Sequence, residues 1–223
     1  MSKILNRIIE KHNLKLEPVK SVVIKDGLPL IGLNMPKCHE IAKEFAEKNE
    51  LDVLIEESTY HEEKTIKGLM IGYLKLPFPE IIKLLEKFVL EADNWAIVDT
   101  SVSNLKIFKK NLDEGLNFIE YCFSLNKTYT IRFAYVLLLS YYLDSKYLDY
   151  IFDKIRNEKS TEYYVQMAVA WLISYLYVKF PKETLTLFDG SLDKFTNNKA
   201  ISKIRDSFRV TKEDKEKLKA YRI

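Results

Sequence analysis

The chain has 223 residues, 47% hydrophobic and 30% charged, with a formal net charge of +3. That suits a soluble single domain with a sizeable core, or one continuous repeat array, spanning residues 1–223. It excludes a strongly basic nucleic-acid domain, and no apolar run approaches the roughly 20 residues a membrane span needs.

The start, Met1 to Arg7, lacks the apolar core of a secretory signal, so the expectation is a cytoplasmic protein. Val19 to Leu33 reads as irregular. Val22-Val23-Ile24 has strand propensity, but Gly27, Pro29 and Gly32 argue for an extended loop. Pro36 suits the first turn of a helix through Ile41, Phe45 and Lys48. Thr59 to Glu62 has capping-box spacing, and Ile66, Leu69, Met70 and Tyr73 form the apolar stripe behind it. In this reading His61, just past the cap, serves surface capping. Pro79 opens a helix through Ile82, Leu85 and Val89, and Asp93 caps the next one. Further helices are predicted over 112–124, 128–142, 145–157, 161–179, 182–189, 197–208 and 211–220. Helices with short connections predict an all-α fold, an α-solenoid or compact bundle, with no strict sequence period.

Trp95 and Trp171 are the two tryptophans, and Asp99 stands one helical turn after the first. Positions four apart share a helix face, so the indole and the carboxylate project together, a receptor for a flat or cationic ligand. The plain alternative is a core tryptophan beside a carboxylate that answers the helix dipole. Arg132 opens a nearly all-apolar helix, so it needs a partner; Asp99 and a phosphate both qualify. Trp171 sits on a helix apolar all round, where core packing is the default. Lys106, Lys109 and Lys110 are candidate backbone contacts or a solvated face.

His12, His39 and His61 have no second metal-ligand type at a suitable spacing. Cys38 and Cys122, far apart, read as reduced core thiols. No glycine-rich phosphate loop, Ser-His-Asp order or Cys-x-x-Cys pair occurs, so no metal or cofactor is implied. Charge is uneven: Lys194 to Ile223 holds ten Lys or Arg and four Asp or Glu, a balance of +6, which leaves −3 for the rest. That segment reads as a solvated terminal helix pair or a phosphate-facing patch.

In order, these segments resemble the DNA alkylation repair glycosylase family, the AlkD-like proteins of HEAT-like helical repeats. Pro29 to Pro36 is similar to its "P-I-L-G-V-x-x-P" run, Tyr60-His61-Glu62-Glu63 to its "Y-H-E-E" helix start, and Trp95 to Asp99 to its "W-x-x-V/C-D" motif. Arg132 falls at its arginine, Gln166 to Trp171 fits "Q-K-A-x-x-W", and Lys203 to Arg209 resembles "K-I-R-E-S-Y-R". The resemblance implies a HEAT-like superhelix that excises positively charged alkylated purines from double-stranded DNA without deep base flipping; a monomer with no obligatory protein partner is expected. Asp99 would be the catalytic anion, Arg132 a phosphate clamp, and Trp95 and Trp171 lesion walls. Departures stand beside it: Ile131 and Phe133 flank Arg132, Ser174 replaces an arginine, and Lys37-Cys38 replaces a basic pair. Fewer cations weaken duplex affinity. The rival functions are a non-catalytic relative that binds DNA structures and a protein-binding helical scaffold.

Overall fold

The computed structural model describes residues 1–21 and 23–223. It is all-α. The helices are α1 Lys3–His12, α2 Met35–Glu47, α3 His61–Tyr73, α4 Phe78–Glu91, α5 Trp95–Asn104, α6 Leu112–Ser124, α7 Thr128–Tyr141, α8 Leu148–Asn157, α9 Tyr163–Lys179, α10 Pro181–Leu185, α11 Lys194–Asp206 and α12 Lys212–Lys217. Short 3-10 turns fill Leu51–Ile55, Lys106–Lys110, Ser145–Tyr147 and Leu218–Tyr221. The described residues between Val19 and Leu33 form a loop, as Gly27, Pro29 and Gly32 predict, tied by an isolated antiparallel bridge between Val19 and Leu30. Of the strand considered at Val22-Val23-Ile24, Val22 lies outside the described residues, and Val23 and Ile24 are loop.

Contacts divide the chain into two compact units, Met1–Phe133 and Ala134–Ile223. In the first, α3 packs on both α2 and α5. Ile66, Leu69, Met70, Ile97, Val98 and Val102 are fully buried there, each contributing roughly 1.5–3 kcal/mol. Two glycines set the closeness of α3 and α5. A Cβ on Gly68 would stand 1.9 Å from Ser101 Oγ, and one on Gly72 would stand 2.6 Å from the Asn104 carbonyl oxygen. Both glycines lie on one face of α3, four residues apart. Asn104 Nδ2 then donates to the Leu69 carbonyl at 2.7 Å. No helix among the described residues is long and apolar enough to cross a membrane.

In the second unit α9 is the hub and packs on α10 and α11. It is apolar around its circumference, as predicted, and buries Val165, Ala168, Val169, Leu172, Ile173 and Leu176. Asp193 caps α11 by accepting from Thr196 N at 3.0 Å and also receives Gln166 Nε2 at 3.0 Å, so one carboxylate joins two helices. Within each unit helices stack on neighbours in sequence, the packing of a helical repeat.

Differences from the sequence reading lie at ends and caps. Helix α1 has no counterpart in it; Ser2 caps this helix through Leu5 N at 3.1 Å. The expected 145–157 helix begins as a 3-10 turn, the 182–189 helix stops at Leu185, and α11 starts three residues early behind Asp193. Cys38 and Cys122 are free and buried, and burial pushes the Cys38 thiol up to about 12.

Candidate functional site

The site grows from the start of α5. Asn94, not Asp93, caps this helix: its Oδ1 accepts from Ala96 N at 3.0 Å and Ile97 N at 3.1 Å. Asp93 instead pairs with Lys64 at 2.6 Å. Asn and Asp are equally good caps, so the sequence could not separate adjacent candidates.

Behind the cap stands His61, which is buried rather than a surface group. The expectation failed because a loop covers this end of α3. His61 N donates to the Pro29 carbonyl at 2.9 Å. Next to it, the buried Glu62 carboxylate accepts from Ile31 N (3.1 Å), Gly32 N (2.8 Å) and Leu33 N (3.3 Å). Glu63, rather than Glu62, closes the capping box, accepting from Thr59 N at 2.8 Å, Tyr60 N at 2.9 Å and the Ser2 hydroxyl. One residue of register thus assigns two adjacent glutamates to opposite tasks, helix cap and loop anchor.

The His61 tautomer follows from its neighbours. With Asn94 Oδ1 engaged on α5, its amide Nδ2 faces His61 Nδ1 at 3.1 Å and donates to it. Nε2 then carries the hydrogen and faces Thr65 Oγ1 at 3.2 Å, while that hydroxyl donates to the His61 carbonyl at 3.1 Å. Burial holds the imidazole pKa below its ordinary value, opposed by the nearby Glu62 and Asp93 charges.

On the helix so capped, Trp95 and Asp99 are both partly exposed. Asp99 meets Arg132 of α7 in a bidentate pair: Arg132 Nε donates to Oδ1 at 2.9 Å and NH2 donates to Oδ2 at 2.7 Å. The Arg132 side chain is 7% exposed and that of Asp99 is 18% exposed. Of the two partners open to Arg132 in the sequence, the carboxylate is the one in contact. The acid is therefore charge-compensated, and its side chain is not sealed from solvent.

A loop segment reaches the two helices that carry this pair. Trp95 Nε1 donates to the Val23 carbonyl at 3.4 Å, and Tyr129, one turn before Arg132 on α7, donates to Asp26 Oδ2 at 2.6 Å. Gly27 sits at φ +86°, and a Cβ there would lie 2.5 Å from Asp93 Oδ1. Residues 23–27 thus touch α5 at Trp95 and α7 at Tyr129, the two helices that also carry Asp99 and Arg132. Sequence reasoning did not single out Asp26, Tyr129 or Asn94. The Asp26-Gly27 turn pair was the one available hint.

Lys106, Lys109 and Lys110 are exposed on the 3-10 turn that follows α5. Trp171 belongs to the second unit, where it is half-buried on α9 and edge-on to Tyr175, ring centroids 6.1 Å apart. It is partly buried rather than fully enclosed. Among the described residues, no group of three His, Cys, Asp or Glu side chains is arranged to hold a metal ion.

Helices stacked on their neighbours, with a carboxylate–guanidinium pair beside an accessible indole, define a helical-repeat protein with one polar site on its first unit. Residues 8–185 match the family described as DNA alkylation repair enzyme. The chain belongs to that family, as its motifs led us to expect. No curated protein and no solved structure gives a significant match.

Proposed function

We propose that the protein is a DNA glycosylase that releases positively charged alkylated purines from duplex DNA. The observation that carries this is Asp99, its side chain 18% exposed, held by Arg132 and set one turn from Trp95 in a chain of the alkylation repair family. A purine alkylated on a ring nitrogen is already cationic, and its glycosidic bond is weak. Departure of the neutral base leaves the sugar with oxocarbenium character. An anion near that sugar stabilises charge that appears only in the transition state.

Arg132 acts first as a positioning residue. Two hydrogen bonds fix the plane of the Asp99 carboxylate, so it needs little reorganisation during the reaction. A guanidinium has five N–H donors, so holding Asp99 does not by itself exclude a DNA phosphate. Compensation also lowers the field of Asp99 at the sugar. At about 4 Å and an effective dielectric near 20, an uncompensated charge contact is worth roughly 4 kcal/mol, an upper bound here. Asp26, held by Tyr129 of α7, is proposed to add a second negative charge that favours a cationic lesion. Trp95 offers a ring face, worth roughly 0.5–2 kcal/mol to a nearby cation. Trp171 is assigned the same kind of contact.

The rival is a non-catalytic DNA-binding relative, and one observation favours it: a carboxylate already neutralised by Arg132 is weaker as a catalytic anion. The deciding experiment incubates methylated duplex DNA with wild type and with Asp99→Asn and measures free alkylpurine. Release by wild type, reduced on the order of 100-fold in Asp99→Asn with folding intact, supports the glycosylase. Binding without release by wild type establishes the rival.

A further inference from the structure

The second unit carries a basic groove that the repair reading does not use. It lies beside α11, and all its lining residues fall past residue 185, where the family match ends. The groove has a volume of about 550 Å³, and its lining includes Lys194, Lys199 and Arg222, with no carboxylate side chain. By contrast, Lys217 and Lys219 of the same terminal segment are paired with Glu213 and Glu216. Phe195 on the groove wall is 38% exposed, and Tyr163 beside it is 52% exposed, ring centroids 5.8 Å apart. Ser202 continues the lining into a second hollow of about 400 Å³. Arg205, Lys212 and Lys215 line that hollow together with Asp206 and Glu216, and the buried Arg205 Nε has no hydrogen-bond partner. From Lys194 to Arg205 the helix runs roughly 17 Å at 1.5 Å per residue, long enough for several successive phosphates.

We propose that this groove binds single-stranded nucleic acid, with Lys194, Lys199 and Arg222 on phosphates and the Phe195–Tyr163 pair stacking an unpaired base. Cations mark a polyanion. Exposed aromatic faces beside them mark a base free of its complement, because a paired base keeps its faces in the duplex stack. An anionic lipid surface would use the same cations and could also take up exposed rings, so the test includes vesicles.

The test uses the full chain and fluorescence anisotropy with a labelled 12-nucleotide oligothymidylate, across a salt series. The expected result is salt-dependent binding by wild type. Combined Lys194→Ala, Lys199→Ala and Arg222→Ala weakens it tenfold or more, and lowers the salt slope by about 2, at roughly 0.7 per phosphate contact on a single strand. Phe195→Ala costs about fivefold or more with the slope unchanged, and Phe195→Trp retains affinity. Lys217→Ala serves as the off-groove control, and circular dichroism confirms that each variant is folded. The proposal is overturned if wild type does not bind the oligonucleotide, if the triple variant binds it as wild type does, or if the substitutions reduce binding to phosphatidylserine vesicles instead. Alkylpurine release is a separate readout, so failure of the repair reading leaves this result interpretable.

Discussion

At the scale of single residues, the site rests on Asp99 and its bidentate partner. Arg132→Lys keeps the charge but not the planar fork that meets both carboxylate oxygens. We expect it to reduce alkylpurine release at saturating DNA more than it reduces duplex affinity, since it disorients Asp99 without removing a cation. Parallel measurement of release rate and binding constant checks this; equal losses in both would show that Arg132 is a phosphate ligand and nothing more. Tyr129→Phe removes the hydroxyl that holds Asp26, and Asp26→Asn removes its charge. Both are expected to slow release of cationic purines without changing melting behaviour by more than about 1 kcal/mol. A substantial loss of stability in either would identify the contact as structural.

At the scale of elements, α5 is held in place from three directions: by its own cap, by the glycine face of α3 and by the loop. Asn94→Ala removes the cap and leaves the buried His61 Nδ1 without its donor, so a cost of about 1–2 kcal/mol is expected in urea unfolding. Gly68→Ala forces a methyl into the space of Ser101 Oγ and should cost about 1–3 kcal/mol, partly recovered by Ser101→Gly. His61 adds a pH dependence of definite sign. Its folded pKa is lowered by burial, so the unfolded chain takes up the proton more readily. The stability it contributes is full above the unfolded value of about 6.5 and is lost as pH falls through the lower folded value. The difference in unfolding free energy between wild type and His61→Gln should therefore shrink on acidification from pH 7 to 5. A constant difference would mean that the histidine is not protonated on unfolding.

The helices themselves were legible in the sequence, because apolar stripes of 3.6-residue period decide most of them. Their caps were less so. Asp93 and Asn94 are chemically equivalent capping residues, and Glu62 and Glu63 differ by one step of register. Tertiary packing selects between them: a distant loop supplies the N–H groups of Ile31, Gly32 and Leu33 to Glu62, and no local pattern encodes that. The Trp95–Asp99 pairing was readable from spacing. That Arg132 would take Asp99 as partner was readable only as one of two options, because it depends on α7 meeting α5. The surface assignment of His61 missed for the same reason.

At the scale of the whole molecule, charge is distributed unequally along a chain whose net charge is only +3. Alkylation repair acts on DNA, and the exposed cations on the turn that follows α5 are Lys106, Lys109 and Lys110. Duplex binding should accordingly show a modest salt slope. Replacing all three lysines by alanine should lower the slope by about 0.9 for every phosphate they neutralise, without changing which bases are released. An unchanged slope would return these lysines to the solvated surface.

The Asn94–His61 contact makes the imidazole a resident spectroscopic reporter. Because the cap dictates which ring nitrogen bears hydrogen, the two ¹⁵N resonances of this one histidine should be widely separated in the resting protein. Any DNA that shifts α5 by a fraction of an ångström would be read at a nucleus the DNA never touches.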